Sequence, residues 1–331
     1  MKVLMLTGSV PPEVCGVGDY TMNLSSSLMA RGCEVDVVKF DFFSFFKVLK
    51  NRKKSIVHIQ YPSIGYGMSL LPQLMAVLSR PVVTIHEFSQ VHILRKLAEL
   101  PLLFFAKKII VTTEHEKLSI SKVWSRFGRK IIVIPVLPAF MPKEDVIEEA
   151  EREGIAFFGL MRKEKGVEEF IELSRKLNQN FRSFPINIYS AIPKGSEDYF
   201  DEIKSISGDL DINWHLNKPL DEVSEGLIHS KYSYLFFPDG VSERRSSFIA
   251  ALGHGVLMLS NSGEMTSSNL REAFIDVQSP EAALGELVSL EADSNRYIEL
   301  RRRGLKAFEF YSPINIADMH VDIYKDFLGE K

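Results

Sequence analysis

The chain has 331 residues, of which 45% are hydrophobic and 25% charged, and this composition excludes a disordered or collagen-like protein. The length favours two domains of ordinary size. Cys15 and Cys33 have neither CxxC nor zinc-ligand spacing, and no apolar run approaches the roughly 20 residues of a membrane span. These features predict a cytoplasmic protein from a reducing compartment, with no metal site.

The formal net charge of −3 conceals a strong asymmetry along the chain. Residues 1–143 carry 19 Lys and Arg against 9 Asp and Glu, whereas residues 144–331 carry 21 against 34. Two interpretations are open. The basic half faces an anionic partner, such as lipid headgroups or a lipid-phosphate acceptor, or the two halves face each other.

The first 134 residues alternate short Val/Ile/Leu runs with amphipathic stretches, which predicts a doubly wound α/β domain with a parallel sheet. The predicted strands are Lys2–Thr7, Glu34–Val38, Ser55–Ile59, Val82–Ile85, Lys108–Thr112 and Ile131–Ile134. The predicted helices are Asp19–Arg31, Ser69–Leu78, His92–Phe105 and Glu114–Trp124.

Three prolines within residues 135–142 indicate a boundary, and a second alternation of the same kind begins at Ile155. Its predicted strands are Ile155–Gly159, Ile186–Tyr189, Ile212–Leu216, Tyr232–Phe237 and Val256–Ser260, with helices between and after them. We therefore predict an N-terminal domain over 1–143, a C-terminal domain over 144–311 and a last helix over 312–331, which could pack back on the first domain. The fold class is α/β, with two Rossmann-like domains facing a cleft. Ligands of such sheets bind beyond the carboxyl ends of the strands.

Three segments that follow predicted strands contain candidate binding residues. In the segment 11–20, Gly16, Val17 and Gly18 open a helix, where small residues and free N–H groups suit an anion. This segment is not the GxGxxG fingerprint, so it does not imply NAD, and a plain tight turn is the alternative.

The other two segments are cationic. Residues 158–166 include Arg162 and Lys165, which can bind phosphate as a planar fork and as a point charge. The alternative is a solvated charged loop. Residues 237–247 place Arg244 and Arg245 in front of an apolar helix, which is unfavourable unless the pair meets an anion or a carboxylate.

Taken together, these motifs resemble glycosyltransferase family 4, whose members have the GT-B architecture. The matching segments run over nearly the whole chain and are Cys15–Thr21, Arg31–Val35, Gly159–Gly166, Asp239–Arg245 and Ala250–Val256. One departure stands out. The family usually has two glutamates eight positions apart, and the second position here is Ala250, with Ser242 and Glu243 near the first.

The resemblance implies transfer of a sugar from a nucleotide-sugar donor, with retention of anomeric configuration and without a bound metal or other cofactor. The donor-binding residues that it implies are Gly16, Val17, Gly18, Arg162, Lys165, Asp239, Ser242, Glu243, Arg244, Arg245 and Ser246. The candidate catalytic residues are His86, Asp19 and Glu87, of which His86 ends a predicted strand. A hydrogen-bonded structural histidine is the alternative for His86, and it is the favoured interpretation for His58.

A further candidate surface is the segment Phe40–Lys54, where five phenylalanines lie beside five cations. It could lie on a membrane surface, or its phenylalanines could pack into the core while its cations are solvated.

We accordingly expect a glycosyltransferase of polysaccharide or glycolipid synthesis, with a glycan or lipid-linked acceptor and no nucleic-acid partner. Association with the inner membrane face is a further expectation. The alternatives are a catalytically degenerate GT-B subunit that only binds a nucleotide or a partner, and an epimerase of the same architecture.

Overall fold

The computed structural model describes residues 1–13, 15–123, 125–142, 151–208 and 210–329. The chain divides into two compact units, which are Met1–Leu137 with Ser312–Lys331, and Pro138–Tyr311. We refer to them as unit 1 and unit 2. The predicted boundary at 143–144 lies outside the described residues. Each unit contains one six-stranded parallel sheet with alternating helices, which confirms the predicted α/β class.

Unit 1 is built on strands β1 to β6 in the order β2-β1-β3-β4-β5-β6. Their bounds are β1 Lys2–Thr7, β2 Glu34–Lys39, β3 Ile56–Tyr61, β4 Val82–Ile85, β5 Lys108–Val111 and β6 Ile131–Val133. The strand order reverses between β1 and β3, so the loops after these two strands flank the topological switch point. In open parallel sheets, this is the usual place for a ligand.

Two separate cores cover the faces of this sheet, because successive strand residues point to opposite sides. The helices of this unit are α1 Gly16–Ala30, α2 Phe42–Asn51, α3 Leu71–Ser79, α4 Ile93–Phe105, α5 Glu114–Val123 and α13 Pro313–Leu328. Leu4 and Leu6 pack in the core that also contains buried residues of α2, α3, α4 and α5, whereas Val3 and Met5 pack with α1 and α13. The last helix of the chain therefore belongs to the first sheet.

Unit 2 has the strand order β12-β11-β10-β7-β8-β9, with its switch point between β7 and β10. The strands are β7 Glu153–Leu160, β8 Ile186–Ala191, β9 Asn213–Leu216, β10 Ser230–Leu235, β11 Leu257–Ser260 and β12 Ile275–Asp276. The helices are α6 Val167–Asn180, α7 Glu197–Ser207, α8 Leu220–His229, α9 Ser246–Gly253, α10 Ser268–Arg271, α11 Pro280–Ala292 and α12 Ser294–Phe308.

Helix α9 is held in place by close packing against α12. All residues from Phe248 to Gly253 are buried, and a Cβ atom added at Gly253 would lie 2.7 Å from the ring of Phe308. A larger residue at Gly253 would push the two helices apart. This contact anchors the end of α9, and the arginine pair lies in the loop that leads into the first residue of the same helix.

None of the described helices is long and apolar enough to cross a membrane.

Candidate anion-binding site at the second sheet

The cationic residues predicted to bind a donor lie in the two loops that flank the switch point of unit 2. Arg162 and Lys165 follow β7, and Arg244 and Arg245 follow β10. Because β7 and β10 are hydrogen-bonded neighbours in the sheet, their carboxyl ends lie side by side. The chain thus brings together two groups of cations about 80 positions apart in sequence.

The loop after β7 is shaped by a left-handed glycine. Gly166 has φ +79° and caps α6, and a Cβ atom there would lie 2.3 Å from the carbonyl oxygen of Phe236. Only glycine satisfies both the backbone conformation and this close approach to the β10 loop. As a result, Lys165 is held against the loop after β10, next to the N-terminus of α6, where backbone N–H groups favour an anion.

Lys165 is half-buried and close to other cations. Burial lowers the pKa of its ammonium group, and the neighbouring Arg245 and Arg162 lower it further, whereas Asp239 has a smaller opposing effect. Neither Lys165 nor Arg162 forms an ion pair with a residue that the structure describes. The exposed Arg162 side chain lines a shallow groove with Tyr199 and Glu202.

The loop after β10 is fixed by contacts with the loop after β11. The side chain of Asn261 donates to the carbonyl oxygen of Phe237 over 2.7 Å and accepts from its N–H over 2.9 Å. Gly240 has φ +80°, and a Cβ atom there would lie 2.3 Å from the nitrogen of Gly263. These contacts hold Asp239 at the carboxyl edge of the sheet.

Asp239 forms ion pairs with both arginines. Arg245 donates from Nη2 to Oδ1, and Nη2 of Arg244 lies 3.5 Å from Oδ2. The guanidinium of Arg245 also lies over the ring of Phe237, at 4.5 Å from its centre. The buried Nε of Arg245 has no hydrogen-bond partner among the described residues. Arg245 is thus positioned with an unused donor.

The two residues before the arginine pair are buried. Ser242 is fully buried, and Glu243 lies against Tyr311, where burial and the Glu243 carboxylate raise the pKa of the Tyr311 hydroxyl. Ala250 is fully buried within α9, so the family's second glutamate position presents no polar group here. Ser246 begins α9, and its carbonyl accepts a hydrogen bond from the N–H of Ala139 over 3.2 Å.

The candidate residues of unit 1 lie around the switch point of the first sheet. Gly18 is buried, and a Cβ atom there would lie 2.7 Å from the carbonyl oxygen of Ser9. Gly16 and Asp19 are exposed on the first turn of α1, and Val17 is half-buried. Burial raises the pKa of the Asp19 carboxyl. The glycine loop is therefore a tightly packed start of a 15-residue helix.

His86 follows β4 and takes part in a buried chain of hydrogen bonds. Its Nε2 lies 2.9 Å from Oε1 of Gln60, and Nε2 of Gln60 lies 3.2 Å from Nε2 of His58. Nδ1 of His58 in turn lies 2.7 Å from the hydroxyl of Tyr324 on α13. Burial lowers the pKa of His86 to about 4, so its imidazole is neutral at physiological pH. Glu87, the next residue, is half-buried.

The sequence motifs did not point to several of these partners. Gln60 lies in β3, whose sequence pattern indicates only a buried strand. Tyr324 and His320 belong to the last helix, far from β3 in sequence. The separation of 266 positions between His58 and Tyr324 left no local signal. Tyr20, whose ring packs edge to face on His86 at 4.9 Å, was within the glycine motif but was not singled out. Among the described residues, no group of three His, Cys, Asp or Glu side chains is arranged to hold a metal ion.

Several solved structures with a similar fold are glycosyltransferases. No protein-family model matches the sequence, and no curated protein matches it significantly. HepE from Anabaena, solved with UDP-glucose, has a TM-score of 0.69 at 11% identity and covers 98% of this chain and 100% of its own. A glycosyltransferase from Rickettsia africae has a TM-score of 0.68 at 14% identity, with coverage of 100% and 99%.

A third similar structure corrects one of the sequence-based predictions. An alpha-glucosyltransferase solved with UDP-glucose and DNA has a TM-score of 0.68 at 13% identity and covers 97% of this chain and 98% of its own. The exclusion of nucleic acid as a partner was wrong, because it rested on the family resemblance, and a protein of this same fold has been solved with DNA. At these identities the likeness establishes the fold, which is the GT-B architecture of two Rossmann-like sheets.

Proposed function

We propose that this protein is a glycosyltransferase that takes its sugar from a nucleoside-diphosphate sugar. The observation that carries the proposal is the cationic cluster at the switch point of unit 2, where Lys165 and Arg162 form no ion pair with a described residue. A diphosphate supplies the negative charge that this cluster lacks. Several of the structural neighbours were solved with UDP or UDP-glucose, which makes a uridine diphosphate sugar the first donor to test.

The chemistry follows from the charge that develops on the leaving group. As the bond between the anomeric carbon and the diphosphate breaks, negative charge grows on the phosphate oxygens. Lys165, Arg245 and the N–H groups at the start of α6 would stabilise this charge without reorganisation. We propose that these groups replace a metal ion in this role and that transfer proceeds with retention, as the family resemblance implies.

One candidate catalytic residue of unit 1 is His86, and its protonation state limits what it can do. His86 is neutral, with Nε2 directed to Gln60, so it can accept or donate a hydrogen bond but carries no positive charge. We propose that His86 orients the acceptor or the reacting sugar, with Asp19 and Glu87 as further polar groups of the same unit. The acceptor is proposed to be a glycan or a lipid-linked glycan in polysaccharide or glycolipid synthesis.

The first test is binding and turnover with defined probes. Calorimetric titration of the full chain with UDP and with UDP-glucose, followed by a donor-hydrolysis assay, should reveal micromolar binding and slow release of the sugar. Binding of neither probe, nor of ADP- or GDP-sugars, would remove the donor-site assignment. Activity that persists in excess EDTA is expected for the metal-independent mechanism, and loss of activity restored by Mg²⁺ or Mn²⁺ would contradict it.

The alternative is a GT-B subunit that binds a nucleotide without turnover. Buried Ala250, at the position of the missing glutamate, is the observation that favours it. The same titration separates the two functions. Tight nucleotide binding with no hydrolysis and no transfer across a panel of donors and acceptors would support the binding subunit.

A further inference from the structure

We propose that unit 1 docks on an anionic membrane surface through one specific face, formed by helices α2, α3 and α4 and the loop of residues 64–70. This inference does not depend on the proposed sugar transfer. We call this surface the three-helix face. It extends well beyond the Phe40–Lys54 segment, in which Phe40 and Phe45 pack into the core whereas Phe42, Phe43 and Phe46 are exposed.

The first observation is the exposure of large apolar side chains on this face. Met68 is 98% exposed, Phe43 85%, Ile64 77% and Leu94 69%. Single exposed apolar residues are ordinary, but large contiguous patches mark interaction sites. On α3 the exposed residues Leu74 and Leu78 follow the helical repeat on the side opposite the core, so this helix is apolar on both sides.

The second observation is that these elements form one continuous surface. Nε of Arg52, at the end of α2, donates to the carbonyl oxygen of Leu78 in α3 over 3.2 Å. The side chain of Gln73 in α3 donates to the carbonyl oxygen of Ala98 in α4 over 3.0 Å. The three helices share one core beneath them and lie on the same side of the sheet.

The third observation is the charge of this part of the chain. Residues 42–98 contain eight Lys and Arg but only one acidic residue. This residue is Glu87, which is half-buried and follows β4, so neither α2 nor α3 contains an acidic residue. Lys47, Lys50, Lys53 and Lys54 are exposed and form no ion pair with a described residue. Cations beside exposed aromatic and aliphatic side chains are the composition of an interfacial membrane-binding surface.

Charge decides between the possible occupants of the face. A second copy of the chain would bring two strongly basic surfaces together, which is unfavourable. A neutral apolar partner would leave the cations without counter-charges, and a nucleic acid would meet the cations but leave exposed aliphatic side chains such as Met68 and Ile64 in water. An anionic bilayer satisfies both features, because the apolar side chains enter the headgroup boundary while the lysines meet the phosphates.

Vesicle co-sedimentation of the full chain tests the proposal. The probes are vesicles of phosphatidylcholine alone and of phosphatidylcholine with phosphatidylglycerol in a two-to-one ratio. We expect binding to the anionic vesicles and little to the neutral ones, with weaker binding as the Debye length shrinks from about 30 Å at 0.01 M salt to about 3 Å at 1 M. No binding to anionic vesicles at low salt would overturn the proposal.

Paired variants locate the surface. Phe43→Ser with Met68→Ser should weaken binding about tenfold or more, because it removes two of the most exposed apolar side chains. The matched control is Met29→Ser with Ile314→Ser, which alters exposed apolar residues of α1 and α13 on the opposite side of the same sheet. Equal losses in the two double variants would overturn the assignment to this face. Melting temperatures verify that all the proteins are folded.

A second pair tests the electrostatic part. Lys47→Glu with Lys50→Glu should weaken binding roughly tenfold, since each cation near an anionic surface contributes to affinity. Arg302→Glu with Arg303→Glu makes the same change of net charge on exposed positions of α12 in unit 2 and should leave binding unchanged. If wild type instead forms a dimer that the Phe43→Ser and Met68→Ser variant dissolves, and no vesicle binding occurs, the face is a protein interface and the proposal is wrong.

Discussion

The guanidinium of Arg245 lies over the ring of Phe237, at 4.5 Å from its centre. The two residues flank the loop after β10, and both belong to the candidate anion site. An aromatic face attracts a planar cation, and it also holds the plane of the guanidinium in one orientation. Arg245 is thereby positioned before any ligand binds.

This relationship predicts different consequences for the two neighbouring arginines. Arg245→Lys should weaken UDP binding about tenfold, because a lysine keeps the charge but loses the planar fork and the stacking. Arg244→Lys is the control, because Arg245 is the arginine that stacks on Phe237. Nη2 of Arg244 lies 3.6 Å from the sulfur of Met265 and 3.5 Å from Oδ2 of Asp239. Calorimetric titration of both variants measures the difference. Affinities that are unchanged from wild type in both variants would assign the pair to structure.

Lys165 is predicted to bind ligand at the expense of stability. Its lowered pKa means that the folded state disfavours the charge, through burial and through Arg245 and Arg162. Lys165→Met should therefore raise the melting temperature of the ligand-free protein by about 1–3 °C and remove most of the stabilisation by UDP. Thermal shift with and without UDP measures both quantities.

Lys163 provides the matched control for this prediction. It lies in the same loop but is 72% exposed and only 3.8 Å from Glu202. Lys163→Met should change neither the melting temperature nor the response to UDP. If the Lys163 and Lys165 variants behave alike, then the loop is a solvated charged segment, which was the alternative interpretation of the sequence.

The burial of Glu99 predicts that the protein becomes less stable as pH rises above 5. It is fully buried in α4, and neither oxygen of its carboxyl group has a hydrogen-bond partner among the described residues. Burial and the Glu116 carboxylate raise the pKa of Glu99 to about 9. The folded state therefore holds a proton that the unfolded chain releases above its ordinary pKa of 4.5, and stability from this group falls as pH rises towards 9.

Glu99→Gln mimics the protonated carboxyl and should remove this dependence. We expect a stability close to that of wild type at pH 5 and a gain of about 4 kcal/mol at pH 8, since wild type loses about 1.4 kcal/mol for each pH unit in this range. Urea denaturation at the two pH values measures it. Glu116→Gln should instead destabilise the protein, because Glu116 accepts hydrogen bonds from the N–H groups of Phe88 and Ser89. A gain that does not depend on pH would contradict the assignment.

The histidines of unit 1 lead to a second prediction about pH, which is that the stability of the protein decreases in acid. Burial lowers the pKa of His320 to about 4, as it does for His86. Between about pH 6.5 and 4 these histidines bind protons in the unfolded chain but not in the folded state. The free energy of unfolding therefore decreases as pH falls through this range. His320→Leu should make this loss shallower, by up to about 1.4 kcal/mol per pH unit. The exposed His229 is the control, and an unchanged slope in His320→Leu would refute the prediction.

The sequence determined most of the secondary structure and the order of the cationic loops. Strands β1 and β4 have the predicted bounds, because short runs such as Val3–Leu6 are apolar on both faces, as is typical of a buried parallel strand. Helix α2 was not assigned from sequence, because its four phenylalanines and its lysines obscure the helical repeat. Its capping box, with Asp41 and Ser44, is the local signal that could have revealed it.

Only the tertiary structure decided which of these residues meet and which are exposed. A local pattern records the periodicity of one element, but the proximity of Lys165 to Arg245 depends on strand order and on the close approach of Gly166 to Phe236. The same holds for the bond between His58 and Tyr324 and for the exposure of Phe43 and Met68. Burial and desolvation are properties of the packed chain, so the raised pKa of Glu99 and the exposed apolar side chains of the three-helix face could not be known from the sequence alone.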